Sequence, residues 1–199
     1  MKIYILRHED RTQDCSFFAP LTENGLSNAQ ALVDKLKEAN ITIILSSPFI
    51  RTLQTVYPYS KESGVKINLE YGLSELHHAD IIPVKAVGIS LPEYLAINFN
   101  YEPSYKTIVK PTDIQYPETD KLINVRVKHV LREIISKYYE TDSNILLVSH
   151  QSICNAILKI VNKSSEKFKG KLPEKIVNGY EKGKLCLVYD KDWTYKPIN

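Results

Sequence analysis

Five consecutive residues, Arg7, His8, Glu9, Asp10 and Arg11, follow an apolar run at positions 3–6. An imidazole held between two guanidinium groups suits an anion with several oxygens, and phosphate fits first. Three more residues could join them. Arg51 lies one helical turn after "SSP", Glu75 sits in "LSEL", and His150 follows Ser149 at the end of "NILLVS". Taken singly, each has a plainer reading. The "RHEDR" stretch could be a solvated turn, Arg51 a surface helix residue, Glu75 a solvated acid and His150 a hydrogen-bonded structural histidine. Their shared placement, each just after an apolar run, is what groups them.

A four-residue apolar strand is normally buried, so the charges that end it belong at the rim of a sheet. In open α/β sheets, ligands bind at the carboxyl ends of the strands. The rest of the chain supplies the matching elements. Residues 23–39 carry Leu26, Ala29, Val33 and Leu36 at helical spacing, with Thr22 placed to cap the helix. "ITIIL", 41–45, reads as a second strand. "SSPFIRTLQTV" then reads as a helix start, with Ser47 as cap and Pro48 at the first helical position. "VKINL" is a third strand. Residues 118–139 are helical, with Ile123, Val127, Val130, Ile134 and Tyr138 on one face. "NILLVS", 144–149, is a fourth strand, "QSICNAILKIV" a helix, and 184–189 a last strand. Strands alternating with helices predict a three-layer αβα sandwich around a mainly parallel sheet. If so, the ends of the first four strands lie on one rim, and Arg7, His8, Arg51, Glu75 and His150 converge there.

Residues 79–115 interrupt this rhythm, with four prolines and at most a short helix near 91–98. An irregular stretch of this length is usually functional. It carries Lys85, Lys106 and Lys110 with Tyr94, Tyr101 and Tyr105, a mixture suited to gripping an anionic or aromatic leaving group. We read it as a lid or pocket wall inserted in a single domain, 1–199. The plainer reading is a loop that covers the sheet edge.

Composition narrows the classes further. With 26 basic and 23 acidic side chains the net charge is +3, too mild and too scattered to suggest nucleic acid. No apolar run reaches the roughly 20 residues of a membrane span, and "MKIYIL" is too short for a secretory leader. Three widely spaced cysteines, Cys15, Cys154 and Cys186, form no disulfide or zinc pattern and suit a reducing, cytoplasmic setting. His77 and His78 are adjacent, so their side chains point apart, and no metal site is expected. Whether the protein is a monomer or a dimer stays open.

Six segments in order, "LRHEDR", "LTENGLSNAQALVDKL", "ILSSPFIRTLQTV", "LSEL", "YPETDKLINVRV" and "ILLVSHQSI", resemble the successive motifs of the histidine phosphatase superfamily. This superfamily includes the cofactor-dependent phosphoglycerate mutases and many acid phosphatases. The resemblance implies a phosphoglycerate mutase-like fold and phosphomonoester hydrolysis through a phosphohistidine, with no metal or cofactor. It makes His8 the nucleophile, Arg7 and Arg51 the phosphate clamps, His150 the second pocket histidine and Glu75 the proton donor. The "RHEDR" spacing resembles the branch of the suppressors of T-cell-receptor signalling, which adds Arg11 as a third clamp. The implied partner is a phosphorylated small molecule or phosphoprotein substrate.

The chemistry is consistent with those roles. A nucleophilic histidine must be neutral, and nearby arginines depress its pKa from about 6.5. Two departures stand out: Glu9 and Gln151 occupy positions usually held by glycine, so Glu9 must turn away from the phosphate. The alternatives are a mutase-type or sugar bisphosphatase activity and an inactive relative that binds phosphorylated partners. Mutases are usually longer, with a more elaborate insertion.

Overall fold

The computed structural model describes residues 1–14, 16–84, 87–165, 179–190 and 196–198. Its elements are β1 (Lys2–Arg7), α1 (Glu23–Glu38), β2 (Ile43–Ser46), α2 (Ile50–Ser63), β3 (Ile67–Leu69) and the short α3 (Glu93–Ala96). They continue with α4 (Asp120–Tyr138), β4 (Asn144–Ser149), α5 (Gln151–Ser165), β5 (Leu185–Tyr189) and β6 (Lys196–Ile198). The described strands form one sheet in the order β3-β2-β4-β1-β5-β6. β1, β2, β3 and β4 are mutually parallel, whereas β5 runs antiparallel to β1 and β6 antiparallel to β5. β6 was not expected from the sequence.

Alternation along β1 builds the three layers. Ile3 and Ile5 face one core, shared with α4 and α5 through Val127, Val130, Ile153 and Ile157. Tyr4 and Leu6 face the other, shared with α1 and α2 through Val33, Leu36, Leu53 and Val56. Successive strand residues point to opposite faces, so a continuous apolar run is what a doubly covered strand requires.

Several boundaries differ from the sequence reading. Thr22 does cap α1, its Oγ accepting from Gly25 N at 3.0 Å. Leu26, however, is 46% exposed, and Leu32 takes its place in the buried stripe with Ala29, Val33 and Leu36. β2 begins at Ile43 rather than Ile41. α2 starts at Ile50 with Phe49 as its cap residue and no side-chain cap bond. Ser47 instead donates its N–H to Val148 O at 2.9 Å, extending the ladder one rung past β2. Pro48 therefore lies outside the helix.

The segment 79–115 has two roles in the packing. Around Tyr101 it lines the sheet edge, with Ile67 N donating to Asn100 O at 3.1 Å and Glu102 N to Ile67 O at 2.9 Å. Residues 105–109 gather around Glu70, at the end of β3. Near its start, Ile81 reaches the rim beside Glu75. Among the described residues no helix is long and apolar enough to cross a membrane.

Candidate active site

The parallel register carries the two histidines to one place. Arg7 pairs with Ser149, and His8 N donates to Ser149 O at 2.9 Å. The rings of His8 and His150 then meet edge to face, with centroids 5.3 Å apart.

Each ring has one nitrogen committed. His8 Nδ1 lies 2.7 Å from Glu9 O. A carbonyl can only accept, so the proton sits on Nδ1 and Nε2 keeps its lone pair. The ring is 2% exposed. Burial, reinforced by the charges of Arg51, Arg7 and Arg11, pushes its pKa down to about 3, against the opposing bond to Glu9 O. Burial is the larger cause, ahead of the arginines expected from the sequence. His150 is fully buried and is held well below the usual imidazole range, first by burial and then by Arg51, His8, Arg126 and Arg7. Its Nε2 is 2.8 Å from Ser47 Oγ, and its Nδ1 faces Glu75 Oε2 at 3.6 Å.

The three arginines are anchored by backbone carbonyls. Arg51 is 1% exposed, donates from Nη1 to Ser16 O at 2.9 Å and lies over the Phe49 ring at 4.6 Å. Phe49 in turn packs edge-on against His150. Arg7 Nη1 donates to Tyr180 O at 2.6 Å. Arg11 Nη1 donates to Thr12 O at 2.7 Å and to Gln13 O and Asp14 O at 3.2 Å.

Glu75 has one oxygen taken by two donors and the other turned toward His150. Oε1 accepts from Leu76 N at 2.9 Å and from the Ser152 hydroxyl. A cavity of about 290 Å³ opens here, lined by Glu75, Ile81, Gln151, Ser152 and Asn155. The two departures from glycine are accommodated elsewhere in the fold. The Glu9 carboxylate lies against Gly183 and accepts from Asn28 Nδ2 at 3.4 Å; burial raises its pKa. The Gln151 amide lies against Gly179. A Cβ at residue 183 or 179 would come within 1.8 Å of these side chains, and both glycines have positive φ.

The structure thus brings together Arg7, His8, Arg11, Arg51, Glu75 and His150. It places other expectations elsewhere. Lys106 borders a recess with Leu45, Glu133, Ile134, Lys137 and Tyr138, separate from the cavity that Glu75 lines. Tyr105 donates to Glu70 Oε2 at 2.8 Å. Lys85 and Cys15 lie outside the described residues. His77 turns inward to Glu118 and His78 outward to Asp80. Ser47 and Ser152 were missed as site residues. Ser47 had the signal of following a strand on the same rim, but its place before proline favoured the cap reading.

Strands, layers and histidine pair together define a phosphoglycerate mutase-like domain. The model of the histidine phosphatase superfamily (branch 1) matches residues 6–173, and the chain belongs to that superfamily. It is 34% identical over 84 residues to a protein of Photorhabdus laumondii described as "Probable phosphoglycerate mutase GpmB", a match spanning 39% of either chain. Among solved structures it resembles the ecdysone phosphate phosphatase from Bombix mori in complex with tungstate. That pair shares 16% identity at a TM-score of 0.73, covering 98% of this chain and 91% of the other. The alpha-ribazole phosphatase from Shigella flexneri is 19% identical at a TM-score of 0.65, with 100% and 96% covered. The phosphoglycerate mutase from Bacillus anthracis is 23% identical at a TM-score of 0.65, with 100% and 91% covered.

Proposed function

We propose that the protein is a metal-independent phosphatase that hydrolyses phosphomonoesters of small molecules through a phosphohistidine on His8. The observation that carries this reading is the bond from His8 Nδ1 to Glu9 O: in a ring kept neutral by burial it places the one proton on Nδ1 and leaves the Nε2 lone pair available.

In the first step Nε2 attacks phosphorus and the bond from phosphorus to the ester oxygen breaks. The proton on Glu75 moves to the departing oxygen, leaving a carboxylate. In the second step a water attacks the phosphohistidine, Glu75 takes its proton, and His8 is released neutral. Arg7, Arg51 and Arg11 hold the equatorial oxygens, where charge stabilisation matters most. They bring fixed positive charge, so no step routes through a metal. His150, neutral and tied to Ser47, adds a hydrogen-bonding partner on the side facing Glu75. Ile81 and the residues around it wall the leaving-group side, which makes the start of the 79–115 segment a determinant of substrate choice. Lys106, in its recess against α4, is left outside that wall.

His8→Ala should abolish turnover of p-nitrophenyl phosphate while circular dichroism shows an unchanged fold. Wild-type protein quenched during turnover should carry an acid-labile, base-stable phosphate on His8. A folded His8→Ala protein with wild-type activity removes the mechanism. Transfer of the phosphate to a sugar-acid hydroxyl in preference to water would favour the mutase reading.

A further inference from the structure

The turn that carries Glu75 has four consecutive carbonyls, and each is held. Arg126 Nη1 donates to Gly72 O and to Ser74 O, both at 2.9 Å. Ser149 Oγ donates to Leu73 O at 2.6 Å. His77 Nδ1 donates to Glu75 O at 3.0 Å. Arg126 is itself locked by Glu118 in a two-pronged contact, Nε to Oε1 at 2.8 Å and Nη2 to Oε2 at 2.7 Å. Glu118 then reaches the far side of the turn. Its Oε2 accepts from His77 N at 3.0 Å, and its own N–H donates to His77 O at 2.7 Å.

This pair is nearly sealed from water, Arg126 at 7% and Glu118 at 4% exposure. Burial alone would raise the Glu118 carboxyl, but the His77 bonds and the Arg126 charge outweigh it and hold it below the usual range. A buried ion pair is weak evidence for stability, because apolar side chains of similar volume often do as well. Apolar side chains could not hold the backbone at residues 72, 74 and 77 at once. Those anchor points bracket Glu75. A planar fork with fixed donors suits that task, and a lysine could not make all four contacts.

Resting on the reading of Glu75 as proton donor, we infer that Arg126, clamped by Glu118, is a positioning residue that sets where the Glu75 carboxyl meets the leaving oxygen. Neither side chain touches the substrate. Both act through the backbone of residues 72–77.

The test is the dependence of kcat/KM on the leaving group. p-Nitrophenolate departs without a proton, whereas an alkoxide such as glycerol needs one. Arg126→Lys keeps the charge and loses the fork. The double variant Glu118→Gln/Arg126→Met removes both charges and leaves neither uncompensated in the interior. For each, kcat/KM on glycerol phosphate should fall about 100-fold, the scale of a misplaced catalytic group, and kcat/KM on p-nitrophenyl phosphate less than about threefold. The ratio of the two is measured within one sample, so it does not depend on how much of the variant is folded. Equal losses on both substrates, or no loss on either, overturn the inference. Glu75→Gln separates the two levels. If its own ratio is that of wild type, the proton-donor reading fails and the positioning reading with it. If its ratio collapses while that of Arg126→Lys does not, only the positioning reading fails.

Discussion

Two carboxylates leave the end of β3 five residues apart, Glu70 and Glu75, and their surroundings are opposite. Glu70 is fully buried and accepts from five donors: Gly72 N, Tyr105 Oη, Thr107 Oγ, Ile108 N and Val109 N. Every direction of approach is filled by protein, and burial with this neighbour raises the pKa of Tyr105. Glu75 accepts from two donors on one oxygen, borders a cavity and turns its other oxygen to His150. A carboxylate whose lone pairs are all taken can only hold structure together. One with an unfilled side can exchange a proton. The same side chain is an anchor at Glu70 and, in the proposed mechanism, an acid at Glu75, and the donor count separates them.

That contrast breaks down if either residue behaves like the other. Glu75→Gln keeps the shape and removes the group proposed to give the proton. It should lower kcat/KM for alkyl phosphomonoesters by about 10²–10⁴-fold, the range of general acid catalysis, with a melting temperature within about 2 °C of wild type. A large drop in melting temperature would make Glu75 an anchor as well. Glu70→Ala leaves five donors, two of them fully buried, without their acceptor and should cost about 3 kcal/mol. For a chain of this length that is roughly 6–12 °C in melting temperature. The protein that remains folded should keep the leaving-group ratio of wild type. A changed ratio would place Glu70 in the catalytic machinery.

A smaller effect separates the two regions by pH. His8, beside the Glu75 region, has a folded pKa of about 3 against about 6.5 for an unperturbed histidine. The folded state therefore binds fewer protons than the unfolded one between these values. The stability linked to His8 is present in full above pH 6.5 and is lost progressively as pH falls toward 3. The slope is at most about 1.4 kcal/mol per pH unit for one such histidine. His8→Asn should flatten the fall in melting temperature between pH 7 and pH 4. An unchanged slope in His8→Asn would show that His8 titrates normally in the folded protein.

The local pattern of residues determined much of this. Apolar runs of four to six residues, each closing on Arg7-His8, Ser46-Ser47 or Ser149-His150, fix strands and their ends, because burial on both faces leaves polar residues no place before the rim. The 3.6-residue spacing in α1 and α4 needs only near neighbours, and Thr22 caps α1 through a residue three positions on. The types and order of Arg7, His8, Arg11, Arg51, Glu75 and His150 were legible for the same reason. What each side chain then touches was decided only by the tertiary structure. Ser47 meets His150 across 103 positions, Arg7 meets Tyr180 across 173, and Glu70 collects donors 35 to 39 residues away. Nothing within one turn of Glu70 or Glu75 distinguishes an anchor from an acid. The distinction lies in which distant donors the sheet and its covering segment bring within hydrogen-bonding reach, and a hydrogen bond depends on that distance, whatever the separation along the chain.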